Sequence, residues 1–449
     1  MNVILHIGAP KTGTSAIQFF LNENRNRLKK HGFYYPEHNF DPNNVSGGHA
    51  SFGALLVEGN VEEAKKLLQQ WLHEAKACNC RLLLSAEAMY RRPDSVVSLF
   101  EGHELEVFAY FRHPLESLIS NHNQSIKRHY STLTLDDFLY KQVGVNNRGV
   151  NGQVFFDWQK LLKDDQLTIR PYYFPTFHKG RIELDFLKQI GIDGWSAKRF
   201  KLQKRKINTS YTEGALEIKR LLNGVLNPEK NRESIVIDRV LQGYSDKSNN
   251  KLGTAKKQAI NTAVFKAISE RYQRSMERMK DKLLAFCPDE FMQPQTVAPL
   301  AQTEARKSLY DVMGAYQELC RQEPDLMERV QCRLADKLQS EERDEMPYAQ
   351  LKLAEIMGLP VREPKPKPPL PSNALDVFLS EKSKPVDYLR EISKWLERYG
   401  DTESACEVLD KAIELAEKGE KKKALQRLRK TYQQRLEALN AEDQTSVQD

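Results

Sequence analysis

The chain has 449 residues, of which 40% are hydrophobic, 29% charged and 9% aromatic. At roughly 100–200 residues per domain it has room for about two to four domains and a buried core without staples; collagen-like, mucin-like and wholly disordered classes are excluded. Lys and Arg outnumber Asp and Glu by 68 to 61, a net charge of +7, which suits an anionic ligand but is too small to argue for nucleic acid.

In chain order, Val3–Ile7 reads as a buried strand and Ser15–Lys30 as an amphipathic helix. Residues 39–50 are rich in Asn, Ser and Gly and read as a long loop near the strand ends. Val61–Ala77 reads as a helix and Arg81–Ser85 as a second buried strand. Leu105–Phe111 reads as a third strand, followed by a helix from Leu115 to Arg128. Leu167–Pro171 is another strand and Ile182–Ile190 another helix. This alternation predicts an α/β fold with a parallel sheet covered on both faces. After residue 210 strand signals nearly vanish, which predicts an all-α C-terminal region. Residues 360–371 form a proline-rich linker. Beyond it, Trp395–Asp401 with Ala405, Leu409 and Ala412 fits a helical hairpin that is TPR-like or ordinary. Residues from 441 onward read as a disordered tail.

The six cysteines show no disulfide or zinc spacing and read as reduced thiols. The N-terminus reads as strand and loop rather than signal peptide. No apolar run approaches the length of a bilayer span, so a soluble, cytoplasmic protein is expected.

The most informative segment is Gly8-Ala9-Pro10-Lys11-Thr12-Gly13-Thr14-Ser15. It leaves a buried strand and opens a helix, so backbone N–H groups and a helix N-terminus face an anion. Gly8 and Gly13 permit tight turns, Thr12, Thr14 and Ser15 add hydroxyls, and Lys11 adds a positive charge. A Walker A loop has Lys directly after its second glycine; here Thr14 stands there, and Lys11 precedes Gly13 by two. No strand in this region ends in an Asp suited to magnesium.

HIGAPKTGTSAIQFFL resembles the 5′-phosphosulfate loop of sulfotransferases that use 3′-phosphoadenosine 5′-phosphosulfate (PAPS). Their second element, an Arg at a strand end with a Ser eight residues later, is matched by Arg112 and Ser120. The resemblance continues less specifically through FDWQKLLKDDQLTIRPYYF, DFLKQIGID and NTSYTEGALEIKRLLN, and covers roughly residues 1–290. It implies a three-layer sheet resembling P-loop kinases in a sulfotransferase domain over 1–295. A helical extension over 296–359, the linker and a helical module over 372–440 would follow.

The resemblance implies sulfuryl transfer from PAPS to a hydroxyl or amine, with no metal required. Pro10, Lys11, Thr12, Gly13, Thr14 and Ser15 would bind the donor's 5′ side, and Lys11 would offset charge on the leaving oxygen. Arg112 and Ser120 would hold the 3′-phosphate. Glu87, at the end of the second strand, is the leading candidate base. His49 and Glu37 are its rivals, and His6 reads as a packed core histidine. The basic run Lys198, Arg199, Lys201, Lys204, Arg205 and Lys206 is either a solvated loop or a nucleotide contact, with Lys206 the residue offered for the latter. A carbohydrate acceptor suits the polar loop and basic surface, and the C-terminal helices offer a surface for a protein partner. A nucleotide kinase and a non-catalytic adaptor are the alternatives; no nucleic-acid-binding pattern is present.

Overall fold

Five apolar runs pair into one parallel sheet in the order β2-β3-β1-β4-β5. These are β1 Asn2–His6, β2 Phe33–Tyr34, β3 Arg81–Ser85, β4 Glu104–Phe111 and β5 Leu167–Pro171. In a computed structural model of the protein, residues 1–38, 46–202, 211–229, 231–249, 258–299, 307–340, 346–361 and 374–445 are described. They fall into two units, one of the described residues up to 361 and one of residues 374–445.

Helices connect the strands, as parallel pairing requires. α1 (Thr14–Glu23) and α2 (Arg25–Lys30) follow β1; α3 (Ala50–Glu58) and α4 (Val61–Ala77) lead into β3; α5 (Pro93–Leu99) precedes β4. α6 (Pro114–Arg128), α7 (Leu135–Val143) and α8 (Gln153–Leu161) separate β4 from β5, and α9 (Ile182–Gln189) and α10 (Gly194–Lys198) come after it. Side chains alternate between the two sheet faces. Val3, Leu5, Leu82, Leu84 and Val107 pack on one face with residues of α3, α4, α5 and α8. Ile4, Leu83 and Tyr110 pack on the other with residues of α1, α2 and α9. Both faces are therefore buried, which is why these strands read as continuous apolar runs.

The expected helix over 15–30 is two helices. Asn24 breaks it: its amide donates to the carbonyls of Phe20 (2.9 Å) and Lys201 (3.0 Å), and its Oδ1 accepts from the Lys201 N–H at 2.8 Å. A side chain that bonds backbone in this way competes with the helix ladder.

The first unit continues with α11 (Glu213–Asn223), α12 (Asn231–Asn249), β6 (Gln258–Ile260), α13 (Thr262–Lys282) and β7 (Val297–Pro299). α14 (Lys307–Gln322), α15 (Pro324–Ser340) and α16 (Tyr348–Met357) complete it. β6 and β7 form a small parallel pair, too short to show periodicity in the sequence. The expected separation of 296–359 from the preceding domain does not hold at the level of packing. Leu221, Leu222 and Ile237 of α11–α12 share one core with Val312, Leu319, Leu334 and Leu353 of α14–α16. The apolar stripe of α11 is buried by the later helices, so neither group has a complete core alone.

In the second unit, α17 (Ala374–Leu379) precedes α18 (Pro385–Arg398), α19 (Thr402–Leu415) and α20 (Glu420–Thr445). Val386, Ala405, Leu409, Ala412, Leu425 and Tyr432 form its core. The hairpin read from the sequence is thus α18–α19, extended by a third long helix. Residues 362–371 of the proline-rich linker read over 360–371 lie outside the described residues. Among the described residues, no helix is long and apolar enough to cross a membrane.

Candidate functional site

In an open α/β sheet, ligands bind beyond the carboxyl ends of the strands, where the strand order reverses. Here that point is β1, flanked by β3 and β4. The loop Ile7–Gly13 leaves β1 at this place, and the segments after β3 and β4 lie on either side.

The loop is held in unusual backbone conformations. Gly8 has φ +22° and Gly13 has φ +74°. A Cβ on Gly8 would lie 2.4 Å from Thr14 Oγ1 and 2.6 Å from Thr14 Cγ2, so only glycine lets the Thr14 side chain fold back under the loop. Lys11 also has positive φ, 67°, a conformation that strains a residue bearing a Cβ. Two contacts maintain the turn. Thr12 Oγ1 donates to the Ala9 carbonyl at 2.6 Å. Arg112 Nη1 donates to the Lys11 carbonyl at 3.0 Å.

The donors at the start of α1 remain available. Gly13 caps the helix without a side-chain hydrogen bond. The first acceptances by its carbonyl are from Ala16 and Ile17, and the amides of Thr14 and Ser15 have no backbone acceptor among the described residues. Thr14 Oγ1 is buried and unpartnered among those residues. A buried orphan hydroxyl beside free helix-end amides is the arrangement an anionic oxygen would satisfy. Ser15 is exposed, whereas Pro10 and Lys11 are half-buried.

Arg112 is fixed from three directions. Glu116, one turn along α6, lies 3.5 Å from Arg112 Nη2. The Tyr172 ring lies beneath its guanidinium, 5.5 Å from centroid to Cζ. Glu116 is itself buried and accepts from the Gln295 and Thr296 amides and the Thr296 hydroxyl, each at 2.7 Å. The segment before β7 therefore supports the carboxylate that orients Arg112. α6 starts where it does because Pro114 occupies its first turn and His113 Nδ1 accepts from the Leu115 amide at 3.2 Å. Ser120 lies half-buried on this helix, four residues beyond Glu116 and on the same face.

Across the loop, β3 ends in Ser85, and Glu87 opens a turn of 3-10 helix, Glu87–Met89. Tyr90 anchors that turn: its carbonyl accepts from the buried Trp158 indole at 2.8 Å and its hydroxyl donates to the Gly149 carbonyl at 3.2 Å. Glu87 is exposed to solvent at the rim, although neighbouring protein crowds around it. This crowding raises its pKa above the ordinary carboxylate range, and the charges of Lys11 and Arg91 pull it back down. Burial likewise lowers the Lys11 pKa; the Glu87 carboxylate raises it and Arg112 lowers it. Lys11, Glu87 and Arg112 thus share one electrostatic environment.

His49 occupies a different position from the one expected of a base. It is buried, its Nδ1 accepts from the Ser85 amide at 3.1 Å, and its Nε2 lies 3.1 Å from the Pro36 carbonyl, to which it donates. Both ring nitrogens are committed, and burial depresses its pKa to about 3. His49 braces the end of β3 instead; its own amide also donates to the Ser85 carbonyl at 2.8 Å. Glu37 is exposed and paired with Arg25 at 2.8 Å. His6 is a packed core residue, as expected, with Nδ1 2.8 Å from Ser85 Oγ and its ring against Phe186.

Of the basic run, Lys198 is exposed with its ammonium over Trp195, and Lys201 is exposed and pairs with Glu23 at 3.2 Å. Lys204, Arg205 and Lys206 lie outside the described residues.

No family model, curated protein or solved structure matches the chain. Chemically, the site combines anion-accepting amides, two cations and an exposed carboxylate beside them. Glu116 and Tyr172 belong to it and were not singled out in the sequence. Glu116 stands at the i,i+4 spacing from Arg112 that makes ion pairs on helices, a signal that was present.

Proposed function

We propose that this protein transfers a sulfuryl group from PAPS to a hydroxyl or amine of a carbohydrate acceptor, on a three-layer fold resembling that of P-loop kinases. The observation that carries the reading is the direct bond from Arg112 to the strained Lys11 turn. It joins the two segments on which the sulfotransferase resemblance rests, at the carboxyl end of the central strand.

The Thr14 and Ser15 amides and the Thr14 hydroxyl would hold the 5′-phosphate. Arg112 and Ser120 would face the 3′-phosphate. In the transfer, the bond from sulfur to the 5′-phosphate oxygen breaks and a bond from sulfur to the acceptor oxygen or nitrogen forms. The acceptor proton passes to Glu87, whose raised pKa suits a base nearer neutral pH. Lys11 offsets the negative charge that grows on the departing phosphate oxygen. Room for an acceptor exists in a cavity of about 730 Å³ beside Arg91, where Asn146, Asn147, Asp157 and Lys160 offer polar contacts and Val145, Val154 and Leu161 apolar ones. A cytoplasmic setting is supported by six cysteines that are all free thiols.

The test is conversion of PAPS to adenosine 3′,5′-bisphosphate in the presence of a panel of neutral and acidic glycans. Glycan-dependent conversion that Lys11→Ala abolishes supports the reading. Absence of conversion across the panel, with the folded wild-type protein, contradicts it.

A further inference from the structure

The face of α6 that carries Ser120 continues beyond it. Gln124 and Lys127 follow at spacings of four and three residues, so all three share one face. Each is half-buried. Gln124 Oε1 is buried and has no hydrogen-bond partner among the described residues. Lys127 Nζ sits 3.5 Å from the centroid of the Tyr211 ring and donates to Gln242 Oε1 at 3.5 Å. Both contacts are to neutral groups.

Among the described residues, the acids that bear on Lys127 make hydrogen bonds and ion pairs to other groups. Asp238 accepts from the Tyr211 hydroxyl at 2.9 Å and stands 3.8 Å from both Arg128 and Lys219. Asp246 accepts from the Gln242 amide at 3.0 Å. Burial is the largest influence on Lys127 and lowers its pKa to about 8; Asp238 and Asp246 oppose this, while Arg128 and Lys11 add to it. The C-terminal turn of a helix favours a cation but supplies no counter-ion. A half-buried cation held by an aromatic ring and an amide, on the helix face that carries Ser120 and beside an unpartnered buried amide oxygen, leaves polar groups that an anionic ligand with its own donors would satisfy.

We propose that Lys127, with Gln124 and the Tyr211 wall, forms a further anion-binding subsite of the cleft, taking a phosphate, sulfate or carboxylate of its ligand. Resting on the sulfotransferase reading, that group is a phosphate of the donor nucleotide or an acidic substituent of the acceptor.

Two measurements on the full chain test this. The first is amine acylation at pH 8, read residue by residue by mass spectrometry, with inorganic tripolyphosphate, adenosine 3′,5′-bisphosphate, a sulfated oligosaccharide or a neutral oligosaccharide present. Lys127 should be modified in the free protein and protected roughly tenfold by an anionic ligand but not by the neutral one. The second is the affinity of Lys127→Gln and Lys127→Arg for the bisphosphate and for adenosine 5′-monophosphate. If Lys127 meets the donor's second phosphate, Lys127→Gln weakens the bisphosphate about tenfold, leaves the monophosphate unchanged, and Lys127→Arg restores binding. If it meets the acceptor, both nucleotides bind unchanged and only the sulfated oligosaccharide protects. Absence of protection by every anionic ligand, with unchanged nucleotide affinities, overturns the subsite. Protection by tripolyphosphate or the sulfated oligosaccharide in a protein that binds no adenosine bisphosphate keeps the subsite and removes the sulfotransferase reading.

Discussion

Arg112 Nη1 donates to the Lys11 backbone carbonyl across 3.0 Å, although the two residues are 101 positions apart in the chain. The bond couples the end of β4 to the loop after β1, and it reaches the one non-glycine residue of that loop with positive φ. Arg112 therefore acts on the loop directly, and under the proposed function it would meet the ligand as well. Arg112→Ala should lower affinity for an adenosine bisphosphate by more than tenfold, a charge-assisted bond contributing about 1.5–3 kcal/mol. Arg112→Lys should recover only part, since lysine cannot reach Lys11, Glu116 and a ligand with one planar fork. Calorimetry on both variants checks this.

Gly8 makes a second prediction. Gly8→Ala places a Cβ 2.4 Å from Thr14 Oγ1 and forces the Thr14 side chain to move. The substitution should destabilise the protein by about 1–3 kcal/mol and weaken anion binding with it. Gly59→Ala is the control: its φ is +81° but nothing lies within 4 Å of the new Cβ. It should show backbone strain alone, about 1 kcal/mol, with ligand affinity intact. Thermal melts and titrations separate the two.

Much of this arrangement is legible in the sequence, for a physical reason. Strands buried on both faces must be continuously apolar, so β1, β3, β4 and β5 stand out, and the glycine-spaced loop after β1 announces its turn. Asn24 is less legible, because its amide is satisfied partly by Lys201, far along the chain. His49 illustrates the other limit. A histidine in a polar loop has the same local sequence whether it faces a ligand or clamps a strand end. Only the positions of Ser85 and Pro36 decide between these. Lys127 has the same difficulty, since Tyr211 and Gln242 come from segments that meet α6 only in the fold.

His6 and His49 predict an acid sensitivity. Both are buried, and burial depresses each pKa to about 3. The unfolded chain takes up these protons near pH 6.5, whereas the folded chain resists them. Their contribution is complete above about pH 6.5 and is lost as pH falls toward about 3, at up to about 1.4 kcal/mol per pH unit for each histidine. Urea unfolding at pH 7 and pH 5 should show this loss, and His49→Gln should flatten the slope.

Glu87 predicts the acid limb of activity. A base must be unprotonated, and burial raises the Glu87 pKa. The limb of kcat/KM should therefore lie above the ordinary carboxylate range. Glu87→Gln should lower kcat by about 10²–10⁴ while nucleotide binding persists. Full activity in Glu87→Gln would remove Glu87 from the chemistry.

The most direct measurement is a calorimetric titration with adenosine 3′,5′-bisphosphate in the absence of magnesium, with ATP and magnesium as the comparison. Micromolar or tighter binding of the bisphosphate, weakened by Arg112→Ala and not matched by magnesium-ATP, is the predicted result. No bisphosphate binding, or a preference for magnesium-ATP, would contradict the assignment of this cleft to a sulfuryl donor.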